Sequence, residues 1–134
     1  PYLIQQVCRD ALDYLNYELF DLDKEREVFI TLADVQAILD NDFFQRGTVY
    51  FDGVWSQTCC PEQEKLLQIL AQTNKAQTIA ELAEATHLEH ETVQQILRWA
   101  ERHDILHQVA SDNKQSEQWA FHVPLMRQWI KNRT

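Results

Sequence analysis

Glycine is scarce in this sequence of 134 residues, which contains only Gly47 and Gly53. The common phosphate-binding loops, G-x-x-x-x-G-K-[ST] and G-x-G-x-x-G, need glycines at spacings that these two positions do not supply. All-β folds also favour glycine, because their tight turns need residues that tolerate positive φ. The chain is therefore expected to be mostly helical, with no phosphate-binding loop of its own.

Positive charge is also scarce. Twelve Lys and Arg stand against 21 Asp and Glu, which gives a formal net charge of −9. A chain with this charge gains no long-range attraction to nucleic acid or to an anionic membrane. No apolar run approaches the roughly 18 residues that span a bilayer, and no secretion signal opens the chain. No membrane partner is expected.

The three cysteines are odd in number, and Cys59 and Cys60 are adjacent. This is not the pattern of a disulfide framework, so a reducing, cytoplasmic location is expected. The adjacent pair also lacks the C-x-x-C spacing, and the histidine pairs lack the further ligands that structural zinc needs. No metal site and no catalytic residue are predicted. Because the chain begins with Pro1 and not with Met, we interpret it as a fragment of a larger protein.

The first part of the chain shows helical periodicity. Apolar residues at helical spacing predict a helix over residues 2–19, with Asp10 on its polar side. A charged break follows at 21–27. Thr31 and Asp34 then form a capping box, which predicts the start of a second helix.

Composition changes near residue 56. Residues 1–57 carry a net charge of −7, whereas residues 58–134 carry −2. Just before this change, Thr48 is expected to cap a short helix. We therefore predict two subdomains, divided between residues 57 and 58.

Start signals for two more helices follow. Pro61 suits the first position of a helix, with Thr58 or Cys60 as its cap. Thr78 and Glu81 form a second capping box. The short helix that it starts is expected to end at a turn around His87 and Leu88. His87 stands where many helix-turn-helix motifs have glycine, and histidine tolerates that backbone conformation.

The remaining pattern predicts a helix over about 89–103 and a β-hairpin formed by 105–109 and 118–122. Pro124 is expected to open a last helix. Two helices, a turn, a helix and a two-stranded wing form the order of a winged helix-turn-helix. The predicted fold class is mainly α, and α+β only by virtue of the small hairpin. An unrelated small α+β bundle is the alternative.

The predicted helix over 89–103 has one polar face that is a candidate recognition surface. Its exposed side is expected to present Gln94, Gln95, Arg98 and Arg102. Glutamine can read adenine and arginine can read guanine, so DNA is a conceivable partner. Trp99 lies at the edge of this face, where an interface anchor is often found.

Acidity disfavours the DNA hypothesis. Between residues 78 and 109, six acids stand against Arg98 and Arg102. Neutralisation of phosphates supplies nearly all non-specific affinity for DNA, and few phosphates can be neutralised here. Glu89 and Glu91 also lie at the helix N-terminus, where they complement the helix dipole. A face that contacts protein is therefore the preferred interpretation.

Three stretches together resemble a known family. They are Pro1-Tyr2-Leu3 at the start of a helix, Thr31-Leu32-Ala33-Asp34-Val35, and Phe121-His122-Val123-Pro124-Leu125-Met126-Arg127-Gln128-Trp129-Ile130. This pattern resembles the region that follows the nucleotide-binding core in bacterial AAA-like signalling ATPases of the STAND class. The resemblance implies a helical lid at 1–57 and a winged helix at 58–134.

The family resemblance also implies a role for Pro1. In the family, the proline of a Gly-x-Pro motif lies against the bound nucleotide, and Pro1 stands at that position here without the preceding Gly-x. A plain helix-starting proline is the alternative. ATP or ADP with Mg²⁺ is expected only for the parent protein, since the P-loop and the acidic motif would lie upstream.

The function expected from this resemblance is regulatory and non-catalytic. The winged helix would contact the upstream nucleotide-binding domain or another protein and would respond to nucleotide state. The alternative is a transcription regulator that binds DNA through the same face.

Overall fold

The fold is mainly α-helical with one small antiparallel sheet, as the sequence predicts. The computed structural model describes residues 2–110 and 116–133, and every structural statement below concerns these residues. The chain divides into two units, Pro1–Val49 and Tyr50–Thr134. No helix among the described residues is long and apolar enough to cross a membrane.

The first unit consists of short helices. The elements in chain order are α1 (Tyr2–Asn16), a π-helical turn (Tyr17–Asp21), α2 (Leu32–Ile38), α3 (Asn41–Arg46) and the start of α4 (Thr48–Trp55). Helix α2 begins at the predicted capping box: the Thr31 hydroxyl accepts from the Asp34 backbone N–H, and the Asp34 carboxylate accepts from the Thr31 backbone N–H.

Two local predictions for the first unit were wrong. Asp10 does not lie on a solvated face of α1: it is buried, because its carboxylate accepts hydrogen bonds from Arg46 at 3.2 and 2.8 Å. Thr48 does not cap α4 with its side chain. Thr48 is the first residue of that helix, and its hydroxyl donates to the carbonyl of Phe44 at 3.1 Å.

The second unit contains the sheet. After α4 come α5 (Pro61–Gln72), β1 (Gln77–Thr78), α6 (Ile79–Thr86), α7 (His90–Arg102), β2 (Leu106–Val109), β3 (Gln118–Phe121) and α8 (Pro124–Arg133). Strand β3 lies between β1 and β2 and is antiparallel to both. The predicted hairpin is therefore confirmed, whereas the two-residue β1 gave no sequence signal.

Helices α6 and α7 are joined by a tight turn. The Thr78–Glu81 capping box that starts α6 is confirmed. His87 ends this helix in the left-handed conformation, with φ 58° and ψ 35°, and its backbone N–H donates to the carbonyl of Ala83. The prediction that His87 adopts a conformation usually given to glycine is therefore also confirmed.

The start of α5 differs from the prediction in its cap. Pro61 is the first helical residue, as expected, and Cys60 occupies the N-cap position without a side-chain hydrogen bond. The side chain of Gln63 instead bonds to the backbone just before the helix. Its oxygen accepts from the backbone N–H of Cys59 at 2.8 Å. Gln63 is itself buried.

The unit boundary lies between Val49 and Tyr50, eight residues before the predicted division at 57/58. The physical reason is aromatic packing. The rings of Phe51 and Trp129 are stacked with centroids 5.5 Å apart, and Trp55 packs edge-on against Trp129 at 6.1 Å. Helix α4 thereby contributes its large apolar side chains to the second unit.

Candidate interaction surface on helix α7

Helix α7 has one buried face and one exposed face. Val93, Ile96, Leu97 and Ala100 are buried, and all of them except Ile96 are fully buried. This spacing of three and four residues places all four on one side of an α-helix. The predicted core face is therefore confirmed, and the opposite side is available for contact.

The four predicted recognition residues all lie on that opposite side. Gln94, Gln95, Arg98 and Arg102 are exposed, and Arg102 Nε donates a side-chain hydrogen bond to the carbonyl of Arg98 at 3.3 Å. Gln95, Arg98 and Arg102 also line a shallow depression together with Glu101. We give the name α7 surface to the side chains of Gln94, Gln95, Arg98, Glu101 and Arg102.

Trp99 differs from the four recognition residues. Its side chain is half-buried, and its ring lies 5.0 Å from the ring of His103. The Nδ1 of His103 is also 2.8 Å from the Trp99 carbonyl oxygen. Trp99 therefore contacts His103 one helical turn later, and its side chain is only partly exposed beside the α7 surface.

Charges of both signs alternate along α7. Arg98 and Arg102 are exposed, and so are Glu91 and Glu101 on the same helix. Glu89, at the N-cap position, is exposed and makes no side-chain capping bond. The end of α7 that would approach a phosphate backbone therefore carries carboxylates, which repel phosphate.

Two sequence predictions concern residues outside the described part of the chain. One is the nucleotide-sensing role of Pro1. The other is part of the connection in the predicted hairpin, at 111–115. Among the described residues, no group of three or more His, Cys, Asp or Glu side chains is placed to hold a metal ion.

The first unit contains a cluster that the sequence analysis did not predict. Arg26 lies in the segment that reads as a charged break, yet its side chain is mostly buried. Its guanidinium donates to Glu18 at 2.6 Å and to both oxygens of Asp34 at 2.7 and 2.6 Å. The same group donates to the carbonyl of Phe29 at 3.2 Å.

Glu18 has two further partners. Lys24 donates to its carboxylate at 2.8 Å, and the Tyr14 hydroxyl donates at 2.9 Å. These bonds from Lys24, Arg26 and Tyr14 lower the pKa of Glu18 to about 2. Hydrogen bonds from Arg26 and Thr31 likewise hold the pKa of Asp34 well below its ordinary value. Both carboxylates are therefore ionised at neutral pH.

A sequence signal for this cluster exists only in part. Asp34 was identified as a capping residue, and a capping carboxylate in the first turn of a helix is available to an arginine that precedes the helix. Nothing in the periodicity of residues 21–27 indicates that Arg26 turns inward. That outcome depends on the loop folding back over the end of α1.

Comparisons with protein-family models, with curated proteins and with solved structures gave no match for this chain.

Proposed function

We propose that the chain is a non-catalytic regulatory part of an ATPase, and that residues 50–134 form a winged helix-turn-helix that contacts protein. The order of elements supports this interpretation: α5, α6, a tight turn at His87, α7 and then the β2–β3 hairpin. The sheet order β1-β3-β2 also suits a wing that folds back beside the short first strand.

We choose a protein partner over DNA because of the charges on α7. Its exposed side presents Arg98 and Arg102 beside Glu91 and Glu101. Residues 50–134 as a whole hold 11 acids and eight Lys and Arg. A surface of this kind gains little from the release of counterions from DNA. Alternating charges and amides suit a protein surface, where complementary pairs give specificity.

In this proposal the first unit is the helical lid that follows a nucleotide-binding core. ATP or ADP with Mg²⁺ would bind in the core, and Pro1 would lie against the nucleotide. The support is the resemblance of the helix starts, including the capping box at Thr31 and Asp34. All three cysteines are free thiols, which suits the reducing cytoplasm.

The test uses a thiol probe on the α7 surface of the full-length ATPase, in a background without other reactive cysteines. Gln94→Cys places the probe on the exposed side of α7, and Glu84→Cys places a matched control on the exposed side of α6. We expect ADP to slow alkylation at position 94 relative to an ATP analogue, with no change at position 84. Equal rates at position 94 in both nucleotide states would contradict the proposal.

DNA binding through the same face is the second candidate. The amides of Gln94 and Gln95 and the guanidinium of Arg98 favour it, because these groups can hydrogen-bond to base edges. A DNA-binding module predicts an affinity that falls with salt and that Arg98→Ala and Arg102→Ala weaken. A protein-contact module predicts no such affinity.

A further inference from the structure

The first unit has an apolar core that includes Leu15, Phe43 and Phe44, but it also buries three carboxylates and exposes several large apolar side chains. Glu18, Asp34 and Asp10 are buried, with relative exposures of 8%, 5% and 7%. By contrast, Phe20 and Val28 are 79% and 77% exposed. Large exposed apolar groups are normal when they are scattered singly, but a contiguous group marks an interaction site.

Six of the exposed large apolar residues lie close together in the chain, whereas the first unit's others are spread over α1, the π-helical turn and the start of α4. The six are Phe20, Leu22, Val28, Phe29, Ile30 and Leu32, and we call them the Phe20–Leu32 surface. Among the described residues of the second unit, Tyr50 is the one exposed large apolar residue, and it is only 36% exposed. The exposure is therefore a property of the first unit.

Arg26 holds this segment together. Its guanidinium lies 2.6 Å from the carboxylate of Glu18 and 3.2 Å from the carbonyl of Phe29. These two contacts bring the Glu18 carboxylate and the Phe29 backbone to the same guanidinium, and so join the chain before and after the loop. Asp34 fixes the same guanidinium to the start of α2. The apolar side chains thus project from a loop that is held by buried ion pairs.

The charges around the surface have one sign. Asp21, Asp23, Glu25 and Glu27 are exposed, and their carboxylates have no hydrogen-bond or ion-pair partner among the described residues. The two cations of the segment are already used, because Lys24 and Arg26 pair with Glu18 and Asp34. Four unpaired carboxylates therefore lie between Phe20 and Val28 along the chain.

We propose that the Phe20–Leu32 surface is a docking site for a protein partner whose contact face is apolar and bordered by lysine and arginine. Lysine and arginine on the partner would be complementary to the four carboxylates of this surface. A second copy of the chain would bring the four carboxylates against their own counterparts, and an anionic membrane would be repelled in the same way. The proposal goes beyond the function proposed above, and it does not depend on what the α7 surface binds.

The test uses two fluorescent amphipathic helical peptides as probes. Both have leucine on one face, and the polar face carries lysine in the first and glutamate in the second. We expect the anisotropy of the leucine–lysine peptide to rise on titration with the chain, and that of the leucine–glutamate peptide to stay flat. Sedimentation of the chain alone should give a monomer.

Variants test whether the leucine–lysine peptide binds at the Phe20–Leu32 surface. Phe20→Ser combined with Phe29→Ser should weaken binding of the leucine–lysine peptide about tenfold or more, since two aromatic contacts are lost. Val49→Ser is the matched control, because Val49 is 87% exposed and lies outside the surface. Circular dichroism should show the same helix content in all variants, because each replaced side chain is exposed.

A second set of variants tests the charge argument. Asp21→Asn with Asp23→Asn should weaken binding and reduce its dependence on salt. Asparagine tolerates the left-handed backbone at position 23, where φ is 50°. Equal binding by the wild type and the Phe20→Ser/Phe29→Ser variant would overturn the proposal. Dimerisation of the wild type through this surface, or its binding to anionic vesicles, would also overturn it.

Discussion

The guanidinium of Arg26 holds both carboxylate oxygens of Asp34, with Nη1 2.7 Å from Oδ1 and Nη2 2.6 Å from Oδ2. The same carboxylate accepts the backbone N–H of Thr31 at 2.7 Å and thereby caps helix α2. One side chain therefore fixes both a helix start and the loop before it. The loop between the π-helical turn and α2 lacks regular structure, and Arg26 bonds to residues on both sides of it.

Replacement of Arg26 is expected to destabilise the first unit. Arg26→Leu removes the hydrogen bonds of Glu18 and Asp34 while both carboxylates stay mostly buried, and an unpaired buried charge is costly. Thermal unfolding followed by circular dichroism should show a lower midpoint. Arg9→Leu is the control, because Arg9 is an exposed arginine on α1. Equal midpoints for the two variants would show that the Arg26 cluster contributes nothing.

Acid is expected to destabilise the chain through Glu18. Its pKa falls from an ordinary value of 4.5 to about 2 in the folded chain, because Lys24, Arg26 and Tyr14 bond to the charged form. A lowered pKa gives stability that is fully present above pH 4.5 and is lost as the pH falls towards 2. Urea unfolding between these pH values should show the loss. The same measurement on Glu18→Gln should show a shallower slope, and an unchanged slope would contradict the assignment.

His87 is expected to be replaceable by glycine with a gain in stability. The left-handed conformation costs a residue with a Cβ about 1 kcal/mol relative to glycine, and His87 is exposed, so little packing is lost. His87→Gly should therefore raise the free energy of unfolding by roughly 0.5–1 kcal/mol. His87→Val should lower it by about 1–2 kcal/mol, because a β-branched side chain is strained there. The opposite order of the two variants in chemical denaturation would contradict the αL assignment.

Phe51 is expected to stabilise the second unit. Its side chain is fully buried and stacks on Trp129, so Phe51→Ala should cost about 3–5 kcal/mol. Val49→Ala, two residues away at an exposed position, should change the stability by less than about 0.5 kcal/mol. Tryptophan fluorescence is the suitable probe, since Trp55 and Trp129 lie in this cluster. A small effect of Phe51→Ala would instead favour the boundary at 57/58.

Local signals were read correctly from the sequence. The capping boxes at Thr31 and Thr78 and the buried side of α7 depend on residues within one or two helical turns. His87 belongs to the same class, since its backbone conformation is set by the helix end next to it. The exposed positions of Gln94, Gln95, Arg98 and Arg102 follow from the same helical periodicity.

Features that depend on distant residues were missed. Asp10 becomes buried only because Arg46, 36 positions later, reaches its carboxylate. Strand β1 exists because Gln77 and Thr78 pair with β3, some forty residues further along. Nothing in the sequence around Phe51 and Trp55 indicates that their side chains pack against Trp129. The partner of the α7 surface is likewise a property of a second molecule or domain.

We propose above that the α7 surface contacts protein and not DNA. The most direct test is fluorescence anisotropy of labelled mixed-sequence duplex DNA titrated with the chain at about 50 mM and about 200 mM salt. We expect flat traces at both salt concentrations, for the wild type and for Arg98→Ala/Arg102→Ala alike. If both arginines neutralised phosphates, affinity would fall about tenfold between these salt concentrations. Binding of that kind, lost in the double variant and kept in Lys75→Ala, would contradict the account.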